Sequence, residues 1–223
     1  MVLNIQYKEY ECFQTKNEWD HVIMTALRRI ESTNVGSILI SELNKLGHTI
    51  NILNYSSSKS FQYPHFNCIN NTIVIPDTPY FVKVEVFNQE LIEDVQDEIF
   101  DKIINCQPLD GKLDKELCSS FSIFKFQPIV VVLFHELVHC LRYLYNMNTN
   151  SQLEEESTIY GTVGNTLIIN SVIFTENSFR KELGFGSRIS HESKDIYVYN
   201  TRIDKNTFSK EYLKALFLKD DFK

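Results

Sequence analysis

The segment His135-Glu136-Leu137-Val138-His139 sets two imidazoles four residues apart, with a carboxylate beside the first. On an α-helix, positions i and i+4 lie about 40° apart around the axis and about 6 Å apart along it, so both rings reach one ion. Zinc is the expected occupant, because it takes nitrogen ligands at about 2.0–2.1 Å in a tetrahedral site. Glu136 lies about 100° further round, where it faces the open side of such a site as a general base and then as proton donor to a leaving amine. With 6 His and 18 Glu in 223 residues, the pattern arises by chance in roughly one chain in a hundred. The competing explanation is a core helix with two hydrogen-bonded histidines; it leaves a buried carboxylate that is costly without a partner.

A catalytic zinc needs a third protein ligand and one open position. The nearest candidates are Glu154, Glu155 and Glu156, after the polar turn 146–152. Ser151 and Glu154 form an S-x-x-E string, which gives Glu154 a capping role and leaves Glu155 and Glu156. Three acids at a helix start are also favoured by the helix dipole. His48, His65 and His191 are isolated alternatives.

The motif needs a helix to hold it. Pro128 suits a first helical turn, and IVVVLFHELVHCLRYLYN is apolar nearly all round, so the spacing predicts a buried helix over 128–147, with the next starting near 153. Upstream, LNIQYKEYECF reads as a strand. Trp19, Val22, Ile23, Ala26, Leu27 and Ile30 predict a helix capped by Asn17 and ending near Thr33, and Ile38 to Leu46 a second helix stopped by Gly47. Strands are expected at 48–53 and 72–75, with 81–87 as a neighbour of the latter; 56–60 reads as loop, 89–106 as an acidic-faced helix or mobile stretch, and 107–122 as loop.

Composition bounds the function. Apolar residues at 43% and aromatics at 13% supply a core, and 223 residues suit one domain. A net charge of -7 argues against nucleic acid and anionic membranes as main partners. No apolar run approaches the roughly eighteen residues of a membrane span; Ile129 to Phe134 runs straight into His135. The N-terminus lacks the pattern of a cleavable signal peptide, and five scattered cysteines indicate neither a disulfide framework nor a cysteine zinc site.

VVVLFHELVHCLRYLYN followed by EEESTIYG resembles the NleD-like bacterial effector zinc metalloproteases and, more distantly, the light chains of clostridial neurotoxins. The resemblance implies Glu155 as third ligand, with Glu156 as the alternative or as its support, and Tyr160 in an aromatic position. It extends over Thr175–Arg188, similar to the family's E-N-x-x-R-x-x-x-G segment with a following Arg-x-x-Tyr. There Arg188 stabilises the oxyanion, and His191 stands in place of Tyr, with Tyr197 and Tyr199 as other donors. The implied fold is α+β and zincin-like, with a mixed or antiparallel sheet packed on the H-E-x-x-H helix. The expected organisation is one domain over 1–223: an α/β part to about 125, zinc-site helices over about 126–190, and a tail over 191–223. The implied protein is a monomeric zinc endopeptidase, delivered by a bacterium into the host cytoplasm to cleave a host protein.

Overall fold

The computed structural model describes residues 2–8, 15–55, 64–76, 81–92, 118–126, 128–191 and 195–199. It is a mixed α+β structure. Strand β1 (Val2–Gln6) leads into helix α1 (Lys16–Glu31), which starts ahead of the predicted cap. The cap is Thr15 instead of Asn17, because Thr15 and Glu18 form a reciprocal capping box that Asn17 cannot match. Trp19, Ile23, Ala26, Leu27 and Ile30 form the buried face of α1, as the spacing requires.

Helix α2 (Asn34–Leu46) follows almost at once and ends at Gly47, whose φ of 72° is left-handed and costs a glycine little. The join is tight at Gly36, where an added Cβ would stand 2.0 Å from the Ile30 carbonyl oxygen. The first two amides of α2 donate to the carboxylate of Glu182, at 2.5 Å from Asn34 and 3.0 Å from Val35, which ties this helix to a much later one.

Strands β2 (Thr49–Tyr55), β3 (His65–Asn67) and β4 (Thr72–Pro76) join β1 in a mixed sheet of order β1-β2-β4-β3. The first three of these run parallel and β3 is an antiparallel edge. Ile50, Ile52, Ile73 and Ile75 turn one face of the sheet into the core. Against them lies helix α3 (Ile129–Leu144), capped by the backbone of Pro128 and buried over most of its surface.

A second sheet takes the order β6 (Cys118–Phe126), β5 (Phe81–Ile92), β10 (Asp195–Tyr199), β9 (Ser187–His191). The expectation that 81–87 neighbours β4 is corrected here: β5 pairs with β6 and β10. It also continues through Ile92, so residues 89–92 are strand, and Cys118–Ser122 belong to β6 instead of a loop. The other predictions for 56–60 and 93–117, and most of the 191–223 tail, lie outside the described residues.

After α3 come α4 (Ser151–Ile159), a two-stranded ribbon of β7 (Ile168–Ile169) and β8 (Val172–Ile173), α5 (Glu176–Glu182) and β9 (Ser187–His191). Phe134 of α3 and Phe179 of α5 stack at 4.2 Å between ring centroids, which fixes α5 against the helix that carries the motif. Among the described residues no helix is long and apolar enough to cross a membrane.

Candidate metal centre

His135 and His139 project from one side of α3, and their Nε2 atoms stand 3.0 Å apart with the rings at 76°. Glu155, from α4, closes the triangle: its Oε2 is 3.2 Å from His135 Nε2 and its Oε1 is 3.3 Å from His139 Nε2. Two ligands at about 2.0–2.1 Å from a tetrahedral zinc are about 3.3–3.4 Å apart, so the three edges are near what such an ion requires.

The hydrogen bonds behind the rings add a second constraint. His135 Nδ1 donates to Glu176 Oε2 at 2.9 Å, and His139 Nδ1 lies 3.2 Å from both Glu154 Oε1 and Thr158 Oγ1. With protons on both Nδ1 atoms, the tautomer this network assigns, each Nε2 turns a lone pair towards the other and towards a carboxylate. Three acceptors converging at such distances repel unless a cation or protons lie among them. His135, His139 and Glu155 could therefore hold a metal ion.

Comparisons with family models, with curated proteins and with solved structures found no match for this chain.

Glu155 is the carboxylate that meets both histidines. Glu156 accepts from Gln152 Nε2 at 3.1 Å and is not in the group. The capping role expected of Glu154 is corrected, since Asn150 caps α4 by accepting from the Leu153 amide at 3.1 Å. That releases Glu154 to bind Arg142, from Nε at 2.8 Å and from Nη2 at 3.0 Å, while touching His139. Glu136 is buried on α3, and its Oε2 has no hydrogen-bond partner among the described residues.

Arg188 is buried on β9 and its Nη1 donates to Glu176 Oε2 at 2.8 Å, so it stands behind His135 through that carboxylate. Asn177 clamps the Arg188 backbone in both directions, accepting from its amide at 2.7 Å and donating to its carbonyl at 2.8 Å. Arg180 donates from Nε to the Gly186 carbonyl at 2.6 Å. Polar residues of the 175–188 segment thus help to hold Glu176 and Arg188 in place. The backbone of His191 ends β9 opposite Asp195, and its side chain lies outside the described residues, as do those of Tyr197 and Tyr199. His65 is on β3, His48 is exposed before β2, and neither joins the three-residue group. Glu176 is the acid of the E-N-x-x-R segment, but spacing alone marks it only as an acid in the first turn of a short helix capped by Thr175.

Proton affinities reflect this packing. Burial disfavours the charged imidazolium of His135, yet hydrogen bonds to Glu155 and Glu176 outweigh it and raise its pKa to about 10. His139 is raised in the same way by Glu154 and Glu155 against its burial. Burial works to raise Glu154, but His139 and Arg142 hold it down at about 2, and Glu155 and Glu176 are held well below the usual carboxylate range. Burial pushes Glu136 up.

The metal-free chain should carry a pH signature of this network. A raised His135 contributes stability that is full below its unfolded value of 6.5 and is lost as pH rises through about 10. A depressed Glu154 contributes stability present above 4.5 and lost as pH falls through about 2. The melting temperature of chelator-treated protein should therefore be highest between about pH 4.5 and 6.5 and fall on both sides. A metal-free melting temperature still rising from about pH 6.5 to 10 would contradict the network.

Proposed function

We propose that this chain is a zinc-dependent endopeptidase of the H-E-x-x-H type with a zincin-like fold. His135, His139 and Glu155 hold the ion in this reading, and the buried Oε2 of Glu136 beside them, with no hydrogen-bond partner among the described residues, is the observation that carries it. Zinc bound there supplies Lewis acidity, polarising a carbonyl and bringing the pKa of water towards about 7.

The protein's own groups do the rest. Glu136 accepts a proton at Oε2 when water attacks, and its burial suits it to keep that proton until the leaving amine takes it. Glu176 and Glu154 hold the two rings with Nε2 turned towards the ion. Arg188 is committed to Glu176 at 2.8 Å, which keeps this carboxylate ionised behind His135; stabilising the oxyanion is the further role proposed for its guanidinium. A peptide substrate is favoured over a small amide because β3 packs on α3 and has a strand on one side only among the described residues. An extended chain can pair with such an edge. Delivery by a bacterium and cleavage of a host protein are the setting that the family likeness supports.

The test couples metal content to product analysis. Purified protein should carry about one zinc per chain, and incubation with host-cell lysate should create new protein N-termini that vanish with a chelator and return with zinc. One zinc per chain without new termini would leave a metal-binding protein or a hydrolase of another bond. Absence of zinc would remove the centre itself.

A further inference from the structure

The two histidines are supported differently. Behind His135, Glu176 is shared with Arg188 of another element, whereas the support of His139 begins on the same helix, one turn further on, at Arg142. Arg142 is wholly buried, although long cationic side chains are almost never so unless paired. Its guanidinium is spent on fixed partners. Nε and Nη2 grip the two oxygens of Glu154 side by side, Nη2 also donates to the Met147 carbonyl at 3.1 Å, and Nη1 to the Asn165 carbonyl at 2.7 Å. Glu154 Oε1, held by Arg142 Nε, is the oxygen that faces His139 Nδ1. Its Oε2 accepts from the Thr149 amide at 3.1 Å.

We infer that Arg142 is a positioning residue of the metal centre: through Glu154 it fixes His139 and, by gripping the turn before α4 and the loop after it, the helix that brings Glu155. This rests on the proposed metal-binding role of His135, His139 and Glu155. The physical content is geometric. A planar guanidinium presents donors in a rigid fork, so it holds both a carboxylate and two carbonyls in set directions, which the single ammonium of lysine does not. A carboxylate so held can take only one orientation towards Nδ1, and the ring behind it presents Nε2 to one point. Partners of this kind typically contribute about 10–100-fold in metal affinity.

The test compares Arg142→Lys, Glu154→Gln and the double variant in zinc affinity, read by competition with a chromophoric chelator, and in the visible spectrum of the cobalt-loaded protein. Each single variant is expected to bind zinc about 10–100-fold more weakly and to shift the cobalt bands, and the double variant to lose little more than either, because both act through one path. Single variants with wild-type zinc affinity and an unchanged cobalt spectrum, but a lower melting temperature, would make Arg142 purely structural. Losses that multiply in the double variant would equally overturn the path. Should Arg142→Lys fail to fold, R142M with E154Q removes both buried charges, and its zinc affinity should match that of E154Q alone. A wild-type chain that binds neither zinc nor cobalt would sink the metal centre and this inference together, whereas tight wild-type binding that the variants leave intact would sink the inference alone.

Discussion

Glu136→Gln should leave zinc bound and abolish cleavage. The change keeps the shape of the side chain and touches none of the three residues that could hold the ion. What it removes is a group that can accept a proton, and general base catalysis contributes about 10²–10⁴-fold to rate. The same substitution carries a second signature. Glu136 is buried, its Oε2 has no partner among the described residues, and burial raises its pKa, so in the folded chain its ionised form costs stability at every pH above its ordinary value of 4.5. Gln has no charge to bury, so the metal-free variant should melt no lower than the parent. Loss of activity with retained stability marks a residue kept for chemistry at the expense of the fold. Zinc content, rate of appearance of new N-termini and melting temperature check the three parts, and a variant that still cleaves at more than about a tenth of the parent rate would remove Glu136 as the base.

Much of this centre could be read from residues alone because it is local. The two histidines, the buried Glu136 beside them and the buried character of α3 are all set by spacing within one helix, and the periodicity of α1 and α2 is equally plain. The failures have physical reasons. Glu154 fits a capping box from Ser151, but Asn150 accepts from the Leu153 amide first, so α4 starts one residue earlier than the box requires and Glu154 is free for Arg142. Residues 81–87 read as strand, yet whether they join β4 depends on pairing with β6, a few dozen residues on, and with β10, about a hundred residues on, which no local pattern records. Gln89 and Glu90 open a stretch whose acids resemble a helix face, yet β5 runs on through Ile92, which pairs with Cys118 of β6. Arg142 carries a signal that spacing rules pass over. A single arginine in an otherwise apolar, buried helix must have a buried anion, and here that anion is Glu154.

Which of the three acids joins the two histidines depends on packing that residue types do not record. Glu154, Glu155 and Glu156 step round α4 by about 100° each, so only one can aim at both Nε2 atoms, and which one depends on how α4 packs rather than on any of the three residues. In the structure Glu154 points to Arg142, Glu155 to both Nε2 atoms, and Glu156 to Gln152 on its own helix. Glu155→Gln should therefore cost more zinc affinity than loss of an outer partner does, so beyond about 100-fold, and should abolish cleavage. Glu156→Gln should leave zinc affinity unchanged and shift stability by no more than about 0.5 kcal/mol. Chelator competition and melting curves with and without zinc read both. If the two variants exchanged their effects, Glu156 would be the ligand, which requires α4 to turn by about 100° and to carry Glu154 out of reach of Arg142. The depressed pKa of Glu154, held down at about 2 by His139 and Arg142 against its burial, would then be lost as well, so a titration of Glu154 by NMR discriminates the two registers without any metal present.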